Sequence, residues 1–327
     1  MKTVLPKLML GTSSSLYPVY CQYLNSDGKY LRTCNDDVFI QVEHSAPFVG
    51  NVNANVLNDT LAKVGEVDIK DEGKTVSLIA GNFNSSLVKE NVDFPVIDFE
   101  EADYVDVTED IHKNIKTALN FTSKTIPLLS YVVIDKDGIM ATTKGRVFYS
   151  KQEFPVKHFV PINGFIFKLV EVNGRVGIVP NDYKDRCVNV IFQNGKAVFT
   201  VDIMDEYPAE KLKGIVSEID SKKAVDVCNI NMVKPELIKL MPIFHGEKEH
   251  KISIENNGST MIITASSNIN GSSKIRVTTN TNTKFNMKID MDKLTNIPND
   301  YQIFYNIKFP DKLLAKNENN FIVVGGE

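Results

Sequence analysis

TIPLLSYVVIDKDGIMATTKGRVFYSKQEFP, residues 125–155, reads as a series of strands joined by turns. Asp137-Gly138 is a turn between two β-rich runs, and Lys144-Gly145 lies between the next two. Antiparallel hairpins follow from that spacing. Just before them, Val105 and Val107 predict a short entry strand and Thr108 a helix cap. Ile111, Ile115 and Leu119 then repeat at helical spacing on one face. Just after them, NGFIFKLVEVNG (163–174) predicts a second helix, with Asn163 as cap and Gly174 as stop. Its Phe and Ile content leaves a strand open as the alternative. CVNVIFQNGKAVFTVDI (187–203) predicts a hairpin around Asn194-Gly195.

The flanking thirds repeat this plan. In the first, LPKLML (5–10) is a truncated helix, and strands follow through an Asp27-Gly28 turn. NANVLNDTLAKVG (53–65) is an amphipathic helix with Leu57, Leu61 and Val64 aligned, and TVSLIAGNFNSSLV (75–88) supplies further strands. In the third, Pro235 opens a helix carrying Leu237, Leu240, Met241 and Phe244. A hairpin turns at Asn257-Gly258, Asp290 caps a short helix, and the chain closes on strands. The expected class is α+β, with three repeated domains at 1–103, 104–223 and 224–327. Each carries two helices across curved antiparallel sheets. Repeats that pair edge to edge leave the end domains with open edges, which a closed homo-oligomer covers.

The 327 residues suit two or three domains, and a hydrophobic fraction of 43% supplies their cores. The formal charge of −4 hides a gradient: residues 1–103 hold 8 Lys+Arg against 15 Asp+Glu, a formal −7. Lys63, Lys113 and Lys116 lie off the apolar stripes of their expected helices, with Lys124 just beyond; Lys168 sits within the expected second helix of the middle domain, Lys234 and Lys239 flank the third-domain helix, and Lys293 lies on its short companion. Such faces suit sequence-independent contact with phosphates, as well as plain solvation. Cys21, Cys34, Cys187 and Cys228 show no CxxC spacing, and the five histidines are scattered, so structural zinc and a disulfide framework are not expected. Free thiols in a reducing compartment fit better. There is no GxGxxG, GxxxxGK[ST] or GxSxG. Asp36-Asp37 and Asp290/Asp292 are acidic pairs able in principle to hold Mg²⁺, though a turn and a helix cap explain them as well. No signal-peptide h-region and no 18-residue apolar run is present.

The order of these pieces resembles the bacterial-type β sliding clamp, the processivity factor of replicative DNA polymerase. Ile126-Pro127-Leu128-Leu129 matches the segment that opens that family's middle domain. Ala141-Thr142, Arg146 and Val147 follow its next motif, with Thr143-Lys144-Gly145 where Asp-Gly-His usually stands. Tyr207-Pro208 matches a Phe-Pro pair, and Phe285-Asn286 with Leu294 matches a third-domain segment. LRTCNDDVFIQVE (31–43) looks like a first-domain strand. FIVVGGE (321–327) takes the C-terminal place without the usual Pro-Met. The resemblance spans nearly the whole chain, and its start is shorter than usual.

It implies a DNA clamp fold and a head-to-tail homodimer, with six domains around a duplex-sized hole lined by the helix lysines. It also implies no catalysis and no cofactor. The implied partners are double-stranded DNA, a DNA polymerase and a clamp loader. A peptide groove would include Thr142, Lys144, Gly145 and Val147, with Ile322, Val323 and Val324 opposite. The implied location is the cytoplasm, that of a bacterial host if the chain is phage-encoded, as its Asn/Lys richness suggests. The alternatives are a trimeric two-domain processivity factor, a metal-dependent enzyme acting on DNA or nucleotides through Asp36, Asp37, Asp290 and Asp292, and a β-rich virion or scaffold protein.

Overall fold

The computed structural model describes residues 1, 3–13, 18–97, 102–143, 145–179, 186–201, 207–220 and 223–326. One-turn α1 (Leu5–Leu8) precedes β1 (Tyr23–Asp27), β2 (Tyr30–Cys34), β3 (Val38–Glu43) and β4 (Val49–Asn53). In α2 (Ala54–Val64) the Asn53 side chain accepts from the Val56 amide at 3.0 Å, and Ala54, Leu57 and Leu61 are buried. The chain continues through β5 (Asp68–Asp71), β6 (Thr75–Ala80), β7 (Phe83–Val88) and β8 (Asp103–Asp106). In α3 (Glu109–Ala118) the Thr108 hydroxyl accepts from the Ile111 amide at 3.3 Å, and Ile111, Ile115 and Ala118 are buried.

Next come β9 (Val132–Asp135), β10 (Gly138–Thr143), β11 (Arg146–Lys151), β12 (Val160–Ile162), β13 (Arg175–Val179), β14 (Arg186–Phe192) and β15 (Gly195–Val201). Then follow α4 (Ala209–Ile219), β16 (Ala224–Asn229) and α5 (Ile230–Ile238). The last part holds β17 (Lys251–Asn256), β18 (Thr260–Ser267), β19 (Gly271–Thr278), β20 (Phe285–Asp290), α6 (Met291–Thr295), β21 (Gln302–Asn306), β22 (Lys312–Asn317) and β23 (Asn320–Gly325).

The chain divides into two compact units, Met1–His112 with Pro155–Met204, and Lys113–Phe154 with Asp205–Glu327. In the first, one sheet runs β4-β1-β2-β3-β15-β14-β13-β8, beside a three-stranded sheet β5-β6-β7. In the second, strands run β9-β10-β11-β23-β22-β21-β16, beside a sheet β19-β18-β17-β20. Each unit therefore draws strands from both sides of an expected domain boundary. The two junctions that do this share a register. Val38 faces Phe199 and Val42 faces Gly195 across β3 and β15; Arg146 faces Val324 and Ser150 faces Asn320 across β11 and β23. In both, the first residue of one strand meets the fifth of the other.

Three expectations need correction. Residues 163–174 do not form a helix but a single 3-10 turn, Ile166–Leu169, held by the Asn163 side chain accepting from the Phe165 and Ile166 amides at 2.9 Å. The middle region's second helix is α4, where Ala209, Leu212, Val216 and Ile219 are buried at helical spacing. Helix α5 starts five residues before Pro235, at an Asn229 cap that accepts from the Asn231 amide at 2.8 Å. Pro235 sits inside it and forfeits one backbone hydrogen bond, and the helix ends at Ile238.

The third concerns two glycines. The turns lie one residue earlier than the dipeptides suggest, because Gly138 faces Asp135 and Gly195 faces Phe192. Gly138 is needed for close approach: a Cβ there would meet the Ser150 carbonyl oxygen at 2.2 Å. Gly138→Ala therefore destabilises by about 2 kcal/mol, read from urea unfolding, through crowding of the strand pair.

Candidate functional site

An apolar concavity of the second unit has a volume of about 300 Å³ and is built on the hairpin of the opening stretch. Gly145 takes φ +80° at the turn, and the Thr142 hydroxyl donates to the Arg146 carbonyl at 2.9 Å, closing it. Strand β23 lies alongside β11, and the Gly325 amide donates to the Gly145 carbonyl at 2.7 Å. Val147, Val323 and Leu129 form an apolar floor; Pro208, Leu212 and Ile215 of the α4 region form the facing wall. Arg146, Lys211 and Lys312 also line the groove, and no carboxylate does among the described residues. Burial pushes the Arg146 guanidinium down, while Asp290 and Asp292 pull it up.

Helix α4 packs on β10, β11 and β23 and is tied at its start by one cation. Lys213 Nζ lies 2.6 Å from Asp135, 2.6 Å from Asp137 and 2.8 Å from Glu210. Burial works against the charge on Lys213, but the three carboxylates outweigh it and raise the pKa. The Asp135, Asp137 and Glu210 oxygens lie close enough together to suit a metal ion. The ammonium already fills that role, so the cluster acts as a brace for the groove wall. Tyr207, just ahead of α4, is buried, which pushes its phenol up.

Of the expected groove residues, Thr142, Gly145, Val147 and Val323 line the cavity. Ile322 and Val324 do not. Strand alternation turns them to the opposite face, where both are fully buried. Lys144 lies outside the described residues. The α4 wall was absent from the expected groove, although its apolar spacing is readable in AEKLKGIVSEI (209–219).

The helix lysines divide into two groups. Lys63, Lys116, Lys124 and Lys168 are exposed. Lys113 is exposed with Asp300 3.9 Å away, and Lys239 pairs with Glu236 at 2.6 Å. Lys234 is half-buried and donates to Asn299 at 3.0 Å. Lys293 departs most from expectation: its ammonium donates to the Gly325 carbonyl at 2.8 Å and anchors the end of β23. The outer face of α5 carries exposed Met232 and Ile238, so it is less basic than the sequence suggests. The acidic pairs have local duties. Asn35 accepts from the Asp37 and Val38 amides at 2.9 Å in a turn that holds Asp36 and Asp37. Asp290 caps α6 by accepting from the Asp292 amide at 3.0 Å.

The fold has counterparts among solved structures. The β subunit of Streptococcus pyogenes DNA polymerase superposes with a TM-score of 0.80, at 10% identity over 99% of this chain and 96% of that one. The DNA polymerase III β subunit of Thermotoga maritima gives 0.77, at 13% identity over 100% and 96%. The fold is that of the β sliding clamps. A third such clamp, from Helicobacter pylori, was solved bound to a DNA ligase peptide. It matches with a TM-score of 0.76, at 11% identity over 100% and 97%. No protein-family model and no curated protein matches the chain. The likeness is one of fold: it extends over 99% or more of the chain in each of these three superpositions. No helix among the described residues is long and apolar enough to cross a membrane.

Proposed function

We infer that the chain is a DNA sliding clamp: a non-enzymatic homodimeric ring that encircles duplex DNA and tethers a polymerase in the cytoplasm. Domains 1–103, 104–223 and 224–327 would be its three repeats, and a separate loader would open it. The observation that carries this reading is the repeated strand junction within the clamp fold. β3 pairs with β15 and β11 with β23 in the same register, which leaves β19 and β7 as the equivalent strands with open edges. Counted from the preceding hairpin, Thr278 corresponds to Lys151, so Val277, Ile275 and Ser273 correspond to Ser150, Phe148 and Arg146. In a second copy they would face Phe83, Ser85 and Leu87. Ile275, Phe83 and Ser85 are half-buried in one chain and would be covered by that pairing.

The test is a cross-link. Ser85→Cys with Ile275→Cys places two thiols directly opposite, within the Cα separation a disulfide spans. Oxidation should give a covalent two-chain species in high yield; a cross-link that forms no better than with a cysteine pair on the far strand face argues against this closure.

The groove is read as the site for partner peptides, with apolar anchors against Val147, Val323 and Ile215 and acidic flanks beside Arg146, Lys211 and Lys312. The exposed lysines are read as exchangeable partners of DNA phosphates. Lys116→Ala with Lys124→Ala should lower the salt slope of DNA affinity by about 1 for each lysine removed, whatever the DNA sequence. Binding measured from low to moderate salt checks this.

A further inference from the structure

The sheet β19-β18-β17-β20 has one apolar face and one basic face. Ile252, Ile254, Ile263, Met287 and Ile289 alternate along their strands on the first face and are buried, and α5 packs beside β19. The intervening residues turn outward. Segment 251–290 holds five Lys+Arg against two Asp+Glu. Lys274 and Arg276 lie on β19, Lys284 just ahead of β20 and Lys288 within it. All four are exposed, and none has a carboxylate partner among the described residues. The other charges have local duties. Lys251 pairs with Glu249 at 3.0 Å, Glu255 accepts from the Asn257 side-chain amide at 2.6 Å, and Asp290 caps α6. The registers set the cations in order. Lys274 faces Thr264, Thr264 faces Ser253 and Ser253 faces Lys288, so one row crosses the sheet with a cation at each end. Three strand spacings separate those ends, about 14 Å. Arg276 adds a second cation at one edge and Lys284 at the other, with Asn286 between Lys284 and Lys288.

We propose that this outward sheet face holds the backbone of duplex DNA, at a site separate from the helix lysines. The four unpaired cations supply the attraction. Thr264, Ser253 and Asn286 supply neutral donors of the kind that hold phosphate oxygens. The separation of the two basic edges is comparable with the width of a major groove, about 12 Å, so each edge can meet the phosphates of a different strand. Two other occupants fit less well. A single strand is held by stacking on aromatic rings, but the only aromatic residue of segment 251–290 is Phe285, which is 7% exposed on the apolar face. A protein partner needs an apolar anchor, and the outward strand positions offer only half-buried Ile262. Pairing of β19 with another strand would use its edge backbone and leave this face open. The inference therefore stands apart from ring closure.

Amine acetylation, read residue by residue by mass spectrometry on the full chain, tests the proposal. A short linear duplex at low salt should slow acetylation of Lys274, Lys284 and Lys288 about tenfold, and moderate salt should abolish the protection. Oligothymidine of the same length should protect them less, and poly-glutamate hardly at all. Lys274→Glu with Lys288→Glu, two exposed changes, should lower duplex affinity about tenfold and remove the protection of Lys284. No protection of these three lysines by the duplex would overturn the proposal. Protection by poly-glutamate equal to that by the duplex would do the same, as would stronger protection by oligothymidine. Failure of a locked ring to stay on circular DNA would not alter this footprint, so the two readings fail separately.

Discussion

Ile215→Asp is expected to abolish capture of a partner peptide while leaving the fold intact. Ile215 is half-buried on the α4 wall of the groove, whereas its neighbours Leu212 and Val216 are the residues that pack inward. An aspartate there removes an apolar contact and places a carboxylate where an apolar anchor must desolvate it. The two effects together cost about 3 kcal/mol, or roughly 100-fold in affinity. The expected acidic flanks of the peptide, drawn to Arg146, Lys211 and Lys312, add repulsion. Fluorescence titration with a peptide of leucine and phenylalanine anchors between aspartates reads the loss, and unchanged circular dichroism separates it from unfolding. Affinity equal to the parent chain would remove α4 from the binding site.

Lys213→Met should have the largest effect on stability. Asp135 is 5% exposed and accepts from the Asp137 and Gly138 amides at 2.8 and 2.9 Å, so it cannot swing out to water without opening the β9–β10 turn. Without Lys213 that carboxylate is buried and unpaired, at a cost of about 3 kcal/mol, discounted because Asp137 and Glu210 face solvent. Adding Asp135→Asn should recover part of the loss, a coupling that a double-mutant cycle measures.

The pH dependence has a defined sign. Lys213 hydrogen-bonds to Asp137 and holds its carboxyl below the usual range. Stability from that pair is present above about pH 4 and is lost as pH falls through the depressed folded value. The raised pKa of Lys213 acts at the other end. Its contribution is full below about pH 10 and is lost as pH rises through the folded value. Between them lies a plateau, and Lys213→Met should flatten both shoulders in unfolding melts.

Much of this was legible in the residues, for identifiable reasons. The stripes Leu57/Leu61 and Ile111/Ile115 mark α2 and α3 because one buried face against a sheet imposes helical spacing. The hairpins followed from glycine-containing dipeptides, yet two of those glycines serve close approach between strands. Sequence spacing alone does not separate that use from a turn, because the clash that demands Gly138 comes from Ser150 on the facing strand. The 163–174 segment misled because Ile166, Leu169 and Val170 are buried as a tight turn, and buried apolar residues there mimic helical spacing. The groove floor was readable at Thr142, Gly145, Val147 and Val323. Its wall was not, since α4 meets the hairpin through long-range contacts, its packing on β10, β11 and β23 and the pairing of Lys213 with Asp135 and Asp137. Lys293 shows the converse: exposure and charge suggested a phosphate contact, but the fold places Gly325 within its reach.

The most direct test of the central claim is retention on DNA of the dimer locked by Ser85→Cys and Ile275→Cys. Closed around a circular duplex, a ring should stay on it through high salt and leave once a nuclease linearises the circle. Rapid loss from intact circles at high salt, or equal retention on circles and linear fragments, would contradict a topological clamp.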